Sequence, residues 1–311
     1  LRSLLHSKQQ LRQAIKDYDA TILLAEPGPI LAYGLLHPKT PPTNLIITLH
    51  GSEIQRWQNN PLARWLAMRS FTDAKLIVTV SKPIAKLAQQ AFPQFAHKVR
   101  AVRNALPEIF RSQALTSPPV PEKKFVQNQP FQILSVGRLH PRKGYDQVVR
   151  AIANLPAKLQ SKVQYTVAGS RGKSDYQKEL QQLATQLNVN LTIELDLSHP
   201  QLIDHYQQAD LFCLTSVPYR KSVEGFGLVY LEAGAYGLPA LAYDTGGVRD
   251  AVQNNLTGRL IHTGDIPALT QQLQDWITNP AALEPLGHAA RANALSRSWA
   301  DVVAETLCIN P

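Results

Sequence analysis

Short apolar runs alternating with helical stretches constrain this chain most. In its first part the runs are 20–25 (Ala-Thr-Ile-Leu-Leu-Ala), Leu45–Leu49, Lys75–Ser81 and Val99–Asn104, with helical patterns over 61–71 and 82–91. A helix is also predicted over 3–17, with Leu4, Leu5, Leu11 and Ile15 facing inward. Further on, strands are predicted at 131–136, 164–168, 191–193 and 211–215, separated by helices at 145–153, 174–187 and 201–208. Apolar strands that alternate with helices pair in parallel, because each crossover needs a helix to return the chain.

The chain has 311 residues, enough for two domains of ordinary size. The proline-rich stretch Ser117-Pro118-Pro119-Val120-Pro121 lacks a hydrophobic period and reads as a break. We therefore expect a first domain over 1–118, a linker over 119–130 and a second domain over 131–311. The net charge is +9 and lies on one side: residues 1–130 hold 17 Lys and Arg against 7 Asp and Glu, and residues 131–311 hold 15 against 16. A basic first half predicts attraction to an anionic surface such as a membrane rich in acidic lipids. No helix-turn-helix, zinc-finger or aromatic RNA-binding pattern accompanies it, so nucleic acid is not the expected partner. Cys213 and Cys308 form neither a disulfide framework nor a metal pattern. No apolar run reaches the length of a membrane span. The expected location is the cytoplasm, with peripheral attachment at the inner face of the membrane.

The chemistry concentrates in two loops. Gly137-Arg138-Leu139-His140-Pro141-Arg142-Lys143-Gly144 follows a strand and opens a helix, placing two cations where a diphosphate would sit. Glu224 stands before the turn Gly225-Phe226-Gly227, and Glu232 lies in the helix opened by that turn, with seven residues between the two carboxylates. Leu228, Leu231 and Ala235 give the helix an apolar stripe; Gly237 and Pro239 stop it. Val223, Leu241 and Ala242 suggest flanking strands. Carboxylates around a phosphate-binding helix N-terminus suit the hydroxyls at either end of a nucleotide sugar.

These residues resemble the signature of the retaining glycosyltransferases of family four, which have the GT-B fold: two Rossmann-like domains facing a cleft. Thr48-Leu49-His50-Gly51, Ser81, Asn104 and Gly169 resemble further family positions, although Ala105 replaces the usual Gly after Asn104. The resemblance implies that Arg138 and Lys143 hold the diphosphate, that Gly137, Gly225, Phe226, Gly227 and Leu228 line the donor, that Glu232 takes the ribose and Glu224 the sugar. His50 would orient sugar or acceptor. It implies transfer from a UDP- or GDP-sugar to a glycan, lipid-linked or small-molecule hydroxyl in cell-envelope synthesis, with no cofactor and no metal. Asp196 stands where the family often has Gly, and Glu194-Leu195-Asp196 is expected to be a strand-end turn. The first domain is expected to lack its opening strands, because a helix precedes what should be a middle strand, and the last helix to return toward the first domain. A related GT-B epimerase or phosphorylase, or a non-catalytic nucleotide-sugar-binding subunit, is the alternative.

Overall fold

The computed structural model describes Ser7, Leu11, Gln13 and residues 21–116, 129–172, 174–219 and 222–307. The helix predicted over 3–17 and most of the linker predicted over 119–130 therefore lie outside the described residues. The chain forms two units, one built mainly on residues up to Asn104 and one running from Ala105.

The first unit carries strands β1 (Thr21–Leu24), β2 (Asn44–Leu49), β3 (Leu76–Thr79) and β4 (Val99–Ala101), paired in that order. Every pairing is parallel, with Leu45 opposite Ile22 and Thr48 opposite Val78. Leu45, Ile47, Leu49 and Ile77 are buried, as expected of a parallel sheet covered on both faces. The helices are α1 (Pro27–Leu36), α2 (Ser52–Gln58), α3 (Pro61–Asp73) and α4 (Lys82–Ala91). Ser81 caps α4 by accepting from the Ile84 N–H at 3.4 Å, and Pro83 sits in the first turn, where a missing donor costs nothing. Sequence patterning did not mark α1, because Pro27, Gly28, Pro29 and Gly34 read as helix breakers. Both prolines lie in its first turn, and Gly34 packs against the Leu66 carbonyl, where a larger residue would overlap. The helix α2 is short and was missed as well.

Residues 222–226 and the end of the chain from Ala304 also belong to the first unit. Val223 is in no strand, contrary to the expectation: it packs its Cγ2 toward Gly51, and only Leu241 and Ala242 are strand residues. Arg100 and Glu305 pair across 3.9 Å.

The second unit begins earlier than the expected linker. Its helix α5 (Glu108–Thr116) was assigned by sequence to the first domain, but Arg291 Nη2 donates to the Ala114 carbonyl at 2.5 Å and Arg111 Nη1 to the Leu295 carbonyl at 2.8 Å. The sheet contains β5 (Phe131–Val136), β6 (Val163–Gly169), β7 (Leu191–Leu195), β8 (Leu211–Leu214), β9 (Ala240–Tyr243) and β10 (Gly258–Ile261), all parallel, in the order β10-β9-β8-β5-β6-β7. Its longer helices are α6 (Tyr145–Ala153), α7 (Ser174–Gln186), α8 (His199–Gln208), α9 (Leu228–Ala235), α10 (Ile266–Thr278), α11 (Leu283–Leu295) and α12 (Trp299–Leu307). Helix α11 starts at Leu283, after a separate turn at Pro280–Ala282. Val148, Ile152, Tyr165, Val167, Phe212, Leu241 and Tyr243 form the buried core. Among the described residues no helix is long and apolar enough to cross a membrane.

Candidate functional site

The strand order of the second unit locates its binding edge. From β5 the chain moves outward through β6 and β7, then returns to β8 on the other side of β5. At such a reversal the loops leaving adjacent carboxyl ends diverge and leave a crevice. Here those loops are Gly137–Gly144 after β5 and the segment from Thr215 after β8.

The two loops are bonded to each other. Thr215 Oγ1 donates to the Gly144 carbonyl at 2.6 Å, and the Val217 N–H donates to the Arg142 carbonyl at 2.8 Å. Gly144 has φ 70°, and a Cβ there would overlap the Thr215 carbonyl, so only glycine closes this turn. His140 Nδ1 accepts from the Arg142 N–H at 3.0 Å, and its ring meets Tyr219 edge-on at 5.0 Å. Tyr145, fully buried at the start of α6, donates from Oη to the Arg138 carbonyl at 3.2 Å. The loop is thus fixed at Arg138, Arg142 and Gly144. Arg138 is exposed, while Lys143 is buried to 9% exposure.

Gly227, with φ 89°, starts α9, and Glu232 follows in its second turn. Leu231 and Ala235 are buried, and Leu228 is half-buried. Gly237 takes φ 76° just beyond the helix. Glu232 is 8% exposed, and burial lifts its pKa from 4.5 to about 6, against the opposing pull of Tyr206 and of the Lys143 charge. Tyr206 Oη donates to Glu232 Oε2 at 2.8 Å. The Tyr206 ring stacks on Tyr236 at 5.8 Å and 5°, with Phe110 edge-on at 6.2 Å. Sequence reasoning missed Tyr206 and Tyr145, because neither lies in a recognisable pattern.

The remaining sequence-predicted residues belong to the first unit. His50 follows β2 and is exposed; its Nε2 lies 3.0 Å from the Ala25 carbonyl, which can only accept, so Nε2 is the donor. The carboxylate of Glu53, itself buried, accepts from the N–H groups of His50 and of Gly51, the latter at 3.1 Å. Ser81 Oγ donates to the Gly225 carbonyl at 2.7 Å, and Ser52 and Ser222 meet through their hydroxyls at 3.1 Å. A Cβ on Gly225 would overlap the His50 carbonyl, so the chain at Gly225 lies directly on the end of β2. Glu224 is half-buried and Phe226 is buried at 3% exposure. The structure therefore brings Gly137, Arg138, Lys143, Gly227, Leu228 and Glu232 together in the second unit, and His50, Ser81, Glu224, Gly225 and Phe226 in the first.

Glu194 and Asp196 face other partners. His205 Nε2 lies 3.1 Å from Glu194 Oε2, and Arg171 Nε donates to Asp196 Oδ2 at 2.8 Å. Asp196 sits at φ 58° as β7 ends, in the left-handed conformation that a strand-end turn adopts. Cys213 is buried in β8, and burial holds its thiol well above the usual range.

The chain matches the family of glycosyl transferases group 1 over residues 118–293 and belongs to that family. Its fold is GT-B, with two parallel-sheet α/β units, and its class is that of a glycosyltransferase. It is 27% identical over 302 residues to a GDP-mannose-dependent alpha-(1-6)-phosphatidylinositol monomannoside mannosyltransferase of Mycolicibacterium smegmatis, covering 93% of this chain and 75% of that enzyme. It is 34% identical over 180 residues to the D-inositol 3-phosphate glycosyltransferase of Streptomyces coelicolor, covering 56% of this chain and 38% of that one. The solved structure of Anabaena HepE in complex with UDP superposes with a TM-score of 0.73 at 23% identity, over 97% of this chain and 81% of that one.

Proposed function

We propose that this chain is a retaining glycosyltransferase that moves a hexose from a nucleoside diphosphate sugar to a hydroxyl of an acceptor containing phosphoinositol. GDP-mannose is the first donor to test, because a relative aligned over 93% of the chain is named for that dependence. The observation that carries the reading is a buried lysine and a buried carboxylate near the β5/β8 edge. Lys143 and Glu232 are both almost wholly buried; burial raises the glutamate's pKa, and the Tyr206 hydrogen bond and the Lys143 charge oppose that rise. A buried cation at a loop preceding a helix suits a diphosphate, and a carboxylate one turn into a second helix suits ribose hydroxyls.

In this reading Arg138 and Lys143 bind the diphosphate, together with N–H groups around Phe226–Leu228. Glu232 accepts from the ribose hydroxyls, Glu224 from those of the transferred sugar, and His50 orients sugar or acceptor. The bond from the sugar's anomeric carbon to the phosphate oxygen breaks, and a bond from that carbon to the acceptor oxygen forms on the same face. The acceptor proton passes to the leaving diphosphate. The growing charge on the leaving group is met by Arg138, Lys143 and the N-terminus of α9, so the proposed reaction uses no metal.

The test is incubation of the purified chain with GDP-mannose, UDP-glucose and UDP-N-acetylglucosamine, each with phosphatidylinositol or free inositol phosphate as acceptor. Product linkage is read by nuclear magnetic resonance. The proposal expects one donor to give an axial-to-axial transfer, abolished by Lys143→Ala. Donor hydrolysis alone, or an inverted product, would overturn it.

A further inference from the structure

The helix α3 carries large apolar side chains on both of its faces. Its inward residues Leu66, Ala67, Ser70 and Phe71 are buried against neighbouring helices: Gly34 of α1 packs on the Leu66 carbonyl, Ser70 Oγ donates to the Ile30 carbonyl at 2.6 Å, and the Phe71 ring meets Trp57 of α2. Its outward stripe, at helical spacing, consists of Pro61, Leu62, Trp65, Met68, Arg69 and Thr72. A surface helix normally turns charged residues outward. Here Leu62 is 66% exposed and Trp65 is 49% exposed, three residues apart.

Basic side chains stand on this helix and the one before it. Arg69 lays its guanidinium over the Trp65 ring at 4.5 Å, and its Nε is buried without a hydrogen-bond partner among the described residues. Arg64 stands over Phe92 at 5.0 Å, and Arg56 is exposed at the end of α2. The acids of these two helices are engaged elsewhere. Glu53 caps the His50–Gly51 turn, and Asp73 accepts from Tyr33 Oη at 3.1 Å. The stripe thus presents a leucine and a tryptophan with Arg69 over the tryptophan ring, on the half of the chain that carries all of its excess positive charge.

We infer that the outward face of α3, centred on Leu62, Trp65 and Arg69, is a docking surface for a bilayer containing anionic lipid. Exposed apolar patches mark interaction sites. A tryptophan prefers the headgroup level, where its ring is apolar and its N–H stays wet. Arginines beside it pair with phosphate, and Arg69 would give its unpartnered Nε an acceptor there. The arrangement is that of an interfacial helix: leucine and tryptophan enter the headgroup boundary while the basic rim faces acidic headgroups. This goes beyond the proposed transfer reaction and does not depend on which sugar is moved. It would set the enzyme at the surface that holds a lipid-linked acceptor.

The experiment is cosedimentation of the whole chain with phosphatidylcholine vesicles, with and without phosphatidylglycerol, for wild type, Leu62→Ser/Trp65→Ser and Arg69→Gln. Thermal melting and nucleotide binding are measured on each, and both should be unchanged in Leu62→Ser/Trp65→Ser, whose positions are exposed. The inference expects wild type to bind the anionic vesicles, the double variant to bind them at least tenfold more weakly, and Arg69→Gln to lose part of the anionic preference. Fluorescence of Trp65 should shift to the blue on binding and be quenched by brominated lipid. Equal partitioning of wild type and double variant would overturn the inference, as would failure of wild type to bind either vesicle. So would self-association of wild type that the double variant abolishes while its vesicle binding stays intact; the face would then be a contact between copies. Failure of nucleotide binding in wild type would strike the transferase reading instead and leave the vesicle result standing.

Discussion

Tyr206 Oη donates to Glu232 Oε2 at 2.8 Å, with the tyrosine ring parallel to Tyr236 and 5.8 Å from it. Helix α8 thereby fixes the rotamer of a carboxylate on α9. Removing the hydroxyl in Tyr206→Phe leaves a buried oxygen without its donor, at a cost of about 1–3 kcal/mol. The carboxylate loses a bond that favours its charged form, so its pKa rises further. The expected outcome in chemical denaturation is a lower midpoint with unchanged slope. In nucleotide titrations at several pH values, the acid limb should move to higher pH, with the donor KM raised more than kcat is lowered. An unmoved acid limb would show that Tyr206 is only packing.

Glu232 itself should cost stability near neutral pH. Its pKa rises from 4.5 to about 6 on folding, chiefly through burial. The folded chain therefore holds this proton more tightly than the unfolded chain does. The stability that this contributes is complete below about 4.5 and is lost as pH rises through about 6. Glu232→Gln removes the penalty of burying charge and keeps an acceptor for Tyr206. Near pH 7 the variant should be more stable than wild type by up to about 2 kcal/mol, with the difference closing in acid, while nucleotide affinity falls. Melting temperatures of both proteins across this range check the sign.

The segment carrying Glu224 should depend on one hydroxyl. Ser81 is fully buried, caps α4 and donates to the Gly225 carbonyl at 2.7 Å. Ser81→Ala should lower stability by about 1–2 kcal/mol and raise amide exchange in residues 222–226. Thermal melting and hydrogen exchange measure the two effects.

Much of this architecture could be read from the residues because its causes are local. Ser81-Lys82-Pro83 carries its own cap and first-turn proline, so α4 was placed at its observed ends. The Arg138–Lys143 loop and the Glu224/Glu232 pair each lie in one contiguous stretch, so their residue types were visible together. What stayed hidden depends on contacts between distant residues. Tyr206 and Glu232 are 26 positions apart, and the bond between Ser81 and Gly225 spans 144. Nothing in either neighbourhood announces those contacts. The helix α1 was hidden for another reason: its prolines and glycines are breakers by type, and only their place in the first turn and against Leu66 makes them tolerable.

Gly144 offers a sharp test of the loop. Alanine there would force a strained positive φ and overlap the Thr215 carbonyl, which itself cannot move without opening the end of β8. Gly144→Ala should destabilise by more than 1 kcal/mol, on the order expected for a side chain forced into such a position, and nucleotide binding should fall by more than tenfold. A variant that melts and binds like wild type would mean that the loop is looser than its bonds suggest.

The most direct measurement of the central claim is calorimetric titration of the chain with UDP, GDP and ADP, repeated for Lys143→Ala and Glu232→Ala. The account predicts that wild type binds one of the three in preference, and that each substitution weakens that nucleotide at least tenfold, about 1.4 kcal/mol. No binding by wild type, or binding untouched by either substitution, would contradict the placement of the donor at the β5/β8 edge.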